Sequence, residues 1–237
     1  MMITGSATSQ RIRQSLCEQI KKGLLLSGKR LPSERQLSEA FGTTRITLRE
    51  ALSALEADGL LYREDRRGWF VSPERIVYNP TTNSNFHQMV SEQGRIAKTQ
   101  LLNASLIMAP AKVQHLLGVQ PKTPIYRLQR LRSVDKRSVL YVENYIQPDY
   151  FPGLLDKNLE QSLSVIYQQY YDITYTNTAF QLYPIGLHDQ AASYLKVTQG
   201  SSGLLVTRKN HDQHRRLIDC DFEYWRQDAI VITAETR

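Results

Sequence analysis

Arginine and threonine crowd one short stretch of this sequence. Thr43-Thr44-Arg45-Ile46-Thr47-Leu48-Arg49 sets two guanidiniums a helical turn apart, with three hydroxyls around them. An arginine can bond guanine bidentately, worth about 1–3 kcal/mol of discrimination. Threonine hydroxyls can bond phosphates or thymine edges. Arg35 precedes this stretch, and Arg66-Arg67-Gly68 follows it. Further on, Arg130 and Arg132 stand two apart. On a strand, residues i and i+2 leave the same face, so this pair can converge on one phosphate, phosphonate or carboxylate. The plainer alternative for the pair is a solvated sheet face.

The surrounding sequence supplies the elements that position these groups. Ser33-Glu34-Arg35-Gln36 is a capping box, predicting a short helix with Leu37, Ala40 and Phe41 on its inner face. Gly42-Thr43-Thr44 breaks it in the space of a tight turn. Thr44 caps a second helix running to about Ala57, and Gly59 suits the left-handed stop. Leu48, Ala51, Leu52 and Leu55 form one apolar stripe, and Ile46, Arg49, Glu50 and Ser53 point the other way. Two short helices so joined are a helix-turn-helix, whose second helix can enter a DNA groove with Arg45, Thr47 and Arg49, while Arg35 abuts the backbone. Leu60–Arg63 and Trp69–Val71 read as strands around a charged tip, Glu64–Gly68, which is a wing. Arg66 and Arg67 at that tip are placed to enter a minor groove. For Arg35 the competing reading is an ion pair within the domain, to a helix carboxylate such as Glu56. An earlier helix is signalled over Ser9–Leu26 by Ile12, Leu16, Ile20 and Leu24, with residues 1–8 loose.

Pro73, Pro80 and Thr81-Thr82-Asn83 mark a linker, predicting domains at 1–73 and 84–237 joined by 74–83. Beyond it the pattern alternates. Helices are expected at Phe86–Glu92, from Pro110 to Gly118, at Gln161–Tyr170 and at Asp189–Leu195. Strands are expected at Thr99–Met108, Ile125–Val134, Val139–Ile146, Thr174–Pro184, Leu204–Asn210 and Leu217–Trp225. Asp135–Ser138 and Asp212–Arg216 read as hairpin turns. The unit helix, strand, turn, strand occurs twice, from Ala111 and again from Ala191. Two such units side by side give an antiparallel sheet with helices on one side, an α+β domain.

The 237 residues carry a net charge of +7. Residues 1–75 hold 13 Lys/Arg against 9 Asp/Glu, an excess of four, and the other 162 an excess of only three. The basic bias is concentrated on the helix-turn-helix, which favours a polyanion. No segment approaches the roughly twenty apolar residues of a membrane span. MMITGSATSQ lacks the basic end and apolar core of a signal peptide, so a cytoplasmic chain is expected. Cys17 and Cys220 read as small core residues rather than a disulfide. Of the five histidines only His211-x-x-His214 has any ligand spacing, and it falls in a turn without further ligands. There is no Gly-rich phosphate loop and no G-x-S-x-G. Neither a metal, a cofactor nor catalysis is expected.

The order LPSER, TTRITLREAL, LEADGLL and RRGWFV resembles the winged helix-turn-helix of GntR-family transcription regulators. The wing departs from that pattern at Arg66, where glycine is usual, and at Trp69, where a small residue is. From about Asn83 the chain resembles the UTRA effector domain of the HutC branch. The matching pieces are Phe86-His-Gln-Met, Arg130-Leu-Arg132, Glu143 with Tyr145 and Pro148, Phe151-Pro-Gly153-Leu, Ser162-Leu163 and Glu223-Tyr-Trp-Arg226. The resemblance implies a chorismate-lyase-like fold, a homodimer and a palindromic double-stranded DNA operator. It also implies an effector pocket for a small anion, built from Asn85, Phe86 and His87 at a helix start, Arg130 and Arg132, and Ser162. Glu143 and Glu223 would take an amino or hydroxyl group at the ligand's other end. The implied role is an effector-controlled repressor. The ending Cys220–Ile230 is similar to that of regulators of phosphonate use. A sugar phosphate, or a carboxylate such as urocanate, fits the same logic. The rival role is a catalytic lyase-like domain tethered to DNA.

Overall fold

The computed structural model describes residues 3–81 and 85–234. They form two compact units. One comprises the chain up to Arg75, with Lys196–Thr198 and Gln227–Ile230, and the remainder forms the other.

The first unit begins with α1 (Ile3–Lys21), so the helix starts earlier and ends earlier than expected. Gly23 adopts φ 70°, which ends the helix before Leu24 and Leu26; both are exposed. α2 (Glu34–Phe41) starts on the complete Ser33–Gln36 capping box and stops at left-handed Gly42. Thr44 caps α3 (Arg45–Ala57) by accepting the Thr47 N–H. The stripe Leu48, Ala51, Leu52 and Leu55 is fully buried, against Ile12 and Leu16 of α1 and Leu37 of α2. Ala40 is a correction: it is exposed, and Ser38 is buried in its place. Ser38 tolerates burial because its hydroxyl donates to the Glu34 carbonyl at 2.7 Å. The wing is β1 (Leu61–Glu64) paired antiparallel with β2 (Gly68–Val71). Half-buried Cys17 packs against this core.

The stretch read as a linker holds a strand, β3 (Ile76–Tyr78). Ile76 and Tyr78 are buried and Val77 is exposed, so the alternation outweighs the flanking prolines. Thr82 and Asn83 of that stretch lie outside the described residues. Then come α4 (Phe86–Glu92), β4 (Ala97–Met108), α5 (Ala111–Leu117), β5 (Pro124–Val134) and β6 (Arg137–Ile146). Two single-turn 3-10 helices follow, then α6 (Leu163–Tyr171), β7 (Tyr175–Leu187), α7 (Asp189–Leu195), β8 (Ser201–Asp212), β9 (Leu217–Arg226) and β10 (Ile230–Ile232). The sheet order is β4-β5-β6-β9-β8-β7, antiparallel between every neighbouring pair. The internal repeat is therefore real: β4-α5-β5-β6 and β7-α7-β8-β9 lie side by side, joined at β6 and β9.

Helices cover both faces of this sheet, not one. Val113 and Leu117 of α5 pack on Ile125, Tyr145, Cys220 and Phe222. Tyr194 of α7 stacks on Tyr141 of the same face. Opposite, Leu163, Ile166 and Tyr167 of α6 join Phe151 and Leu154 on Leu128 and Ile146. Alternation along β5 and β6 separates these two sets, because successive side chains leave opposite faces. Asp135 and Lys136 both take positive φ, forming the tight two-residue turn of the β5–β6 hairpin. No helix among the described residues is long and apolar enough to cross a membrane.

Candidate functional site

In the first unit, α2, α3 and the wing enclose an open groove of about 370 Å³. Arg30, Arg35, Arg45, Arg49, Arg63 and Arg66 line it, with Glu34 as its acid. Of the expected contact residues, Arg35, Arg45, Arg49, Arg66 and Gly68 line this groove. Thr43, Thr44, Thr47 and Arg67 do not. Thr44 and Thr47 share the cap of α3, their hydroxyl oxygens 3.1 Å apart. Arg67 pairs with Glu64 and lies over the Phe70 ring at 5.3 Å. Arg35 reaches Glu39 at 3.6 Å on an exposed surface, rather than Glu56. Arg30 and Arg63 were missed; the signal for Arg63 was a basic residue inside the expected wing strand, and the structure leaves it exposed between buried neighbours.

Glu34 organises the groove. Its Oε2 accepts Arg49 Nε at 2.7 Å, and its Oε1 accepts the Trp69 indole N–H at 3.1 Å. Burial pushes this carboxyl upward, but the bonds from Trp69 and Arg49 outweigh that and hold it below the ordinary range. One carboxylate thus fixes the α3 arginine and the base of the wing together. Trp69 itself is buried, with the Arg63 guanidinium 6.0 Å from its ring centre. The large residue at this wing position is accommodated because it is half of this clamp.

The second unit holds a cavity of about 750 Å³ on the α6 face of the sheet. Arg130, Arg132 and Arg208 line it, with Asn144, Asp221, Thr178 and Phe180 on the sheet, Asn85 and Phe86 at the start of α4, and Ser162 and Ser164 at the start of α6. Arg130 is buried. Its Nε donates to Asn144 Oδ1 at 2.9 Å and its Nη1 to the Gln161 carbonyl at 3.2 Å. Burial, reinforced by repulsion from Arg132, brings its pKa down to about 10. Arg132 lies over the Phe86 ring at 5.0 Å. Its buried Nε–H has no acceptor among the described residues, and neither has that of Arg208. Arg208 Nη1 donates to Glu223 at 3.3 Å.

Beneath these cations lies a buried acidic network. Asn144 and Asn210 both donate to Asp221, and Asn210 also donates to Asp219. The Tyr175 hydroxyl donates to Asp219 Oδ2 at 2.7 Å. Burial, then the charge of Asp221, pushes Asp219 up to about 7. Ser162 Oγ lies 2.8 Å from Ser164 Oγ and makes no capping bond, so both hydroxyls stay on the cavity wall. Asn85 caps α4 through the Gln88 N–H at 3.1 Å.

Two expected residues stand elsewhere. His87 turns under α4 and bonds Thr99 Oγ1 at 2.9 Å; burial and the two arginines hold its pKa low. It is not on the cavity wall. Glu143 is the clear correction: it leaves the opposite face of the sheet. There it accepts Lys112 Nζ at 2.9 Å and pairs with Arg127. The cause is a β-bulge between Arg132 and Ser133, which sets Glu143 opposite Gln129 and Val142 opposite Arg130. Glu223, opposite Val142, does share the arginine face but is not on the cavity wall; it accepts Arg208 Nη1 instead. Sequence reasoning missed Arg208, Asn144 and Asp221, because their convergence depends on the β6–β9 and β8–β9 registers. Among the described residues no three His, Cys, Asp or Glu side chains come together to hold a metal.

Comparison with known proteins adds three findings. Residues 8–71 match the family described as bacterial regulatory proteins, gntR family, and residues 92–230 match the UTRA domain. The uncharacterized HTH-type transcriptional regulator YihL of Escherichia coli K12 is 31% identical over 232 residues, 97% of this chain and 98% of its own length. The HTH-type transcriptional repressor NagR of Bacillus subtilis is 28% identical, over 86% of this chain and 84% of its own. Among solved structures, PhnF from Mycobacterium smegmatis shares the fold, with a TM-score of 0.66 and 24% identity, covering 95% of this chain and 99% of that one.

Proposed function

Because the chain belongs to the GntR family of bacterial regulatory proteins, with a UTRA domain as its second part, we propose that it is a repressor controlled by a small anionic metabolite. The effector class favoured is a phosphonate or sugar phosphate, bound in the cavity of the second unit. The operator is double-stranded DNA, held by the arginine groove, with Arg45 and Arg49 presented to base edges and Arg66 at the wing tip.

One observation carries the effector reading. Arg130 and Arg132 leave the same face of β5 into one cavity, and the Nε–H of Arg132 is buried without an acceptor. An unsatisfied buried donor costs about 1–3 kcal/mol, more when charged, and an oxyanion placed between the guanidiniums would remove that cost. Ser162 and Ser164 add hydroxyls to the same space. Asp221, rather than Glu143, is the acid offered to a ligand's amino or hydroxyl end.

The test is titration calorimetry against an aminoalkylphosphonate, an amino-sugar phosphate and urocanate, with operator binding measured beside it. The expected coupling is about 1–3 kcal/mol, or 5- to 150-fold in operator affinity. Arg132→Ala should abolish the response and leave effector-free operator binding near wild type. A normal response in that variant places the effector elsewhere. Chemical conversion of the bound ligand would favour the catalytic rival.

A further inference from the structure

We propose that Ile46 reads a thymine methyl group in the operator. This rests on the operator-binding reading above and adds to it a specific base contact. Ile46 is the second residue of α3 and is 75% exposed, in a helix whose opposite face is completely buried. The core gains nothing from it: Leu48, Ala51, Leu52 and Leu55 fill the inner stripe. As a β-branched residue it is also a poorer helix former than alanine or leucine.

The surroundings define what can cover Ile46. Arg45 and Arg49, on either side along the helix, line the groove with four further arginines. A protein partner laid on Ile46 would have to desolvate this cationic rim, whereas a polyanion neutralises it, and the match of residues 8–71 to the gntR family makes that polyanion a duplex. The first turns of a recognition helix are the part that meets base edges. In the major groove the apolar group on offer is the C5-methyl of thymine; guanine, cytosine and adenine present hydrogen-bonding atoms there. An exposed branched alkyl group between two arginines therefore matches a thymine beside guanines.

The experiment selects operators from a random duplex library with the purified 237-residue chain, then replaces each thymine by uracil. Uracil removes the methyl and keeps every hydrogen-bonding group. Wild type should lose about fourfold in affinity at one thymine of each half-site, the value of one buried methyl-sized group. Ile46→Ala should lose a similar factor on the thymine duplex and nothing more on the uracil duplex, while Ile46→Val keeps most of the discrimination. A flat uracil scan in wild type, or a sensitive position that persists in Ile46→Ala, overturns the proposal and leaves operator binding intact. If no sequence is enriched at all, the operator reading itself falls.

Discussion

At the scale of single residues, the cavity floor shows how far burial can move a proton. Asp219 and Asp221 are both buried, and burial with mutual repulsion raises Asp219 to about 7. In the unfolded chain an aspartate ionises near 4. Between those values the folded protein binds the extra proton, so stability falls as pH rises from about 4 to 7 and levels off above. His87, held low by burial, contributes the opposite slope in part of that window. The two separate on substitution: Asp219→Asn should flatten the decline, seen as a smaller loss of melting temperature between pH 5 and pH 8 than wild type. An unchanged slope would mean that Asp219 is ionised throughout. The same residue scale explains Glu143. Counting outward from the Asp135-Lys136 turn without a bulge sets Glu143 opposite Leu128, on the face of Arg130 and Arg132. The one-residue bulge beside Arg132 slips the register and moves Glu143 to the other face. Nothing in the residue types around Ser133 announces that bulge.

At the scale of elements, local signals were legible and long-range ones were not. The capping box at Ser33, the Thr44 cap and the buried stripe of α3 are set by neighbours within a turn or two, and they were readable for that reason. The clamp between α2, α3 and the wing was hidden, because Glu34 and Trp69 are 35 residues apart. That clamp makes a prediction for the wing. Trp69→Phe keeps the aromatic packing and removes the N–H to a charged acceptor, which costs about 1–2 kcal/mol for a partly buried bond of this kind. Chemical denaturation of the first unit should show the loss, and operator affinity should fall with it, since Arg49 shares the same carboxylate. A variant with unchanged stability would show that packing alone holds the wing.

At the scale of the molecule, one α3 reads too few base pairs to define an operator. We therefore expect two copies on a palindrome, with half-sites about 34 Å apart. Sedimentation should give a dimer at micromolar concentration, and a monomer both free and on DNA would exclude this. The order of the sheet carries a different consequence. Its two repeats meet at β6 and β9, and the cavity opens across that seam, with Arg130 and Arg132 from the first repeat and Arg208 with Asp221 from the second. The two repeats contribute unlike groups to its wall, two guanidiniums from the first and a guanidinium with a carboxylate from the second. The cavity therefore has a polarity, like a keyed socket. A ligand that carries both an anionic and a cationic group matches this wall, whereas a dianion such as a short dicarboxylate would set one of its charges against Asp221.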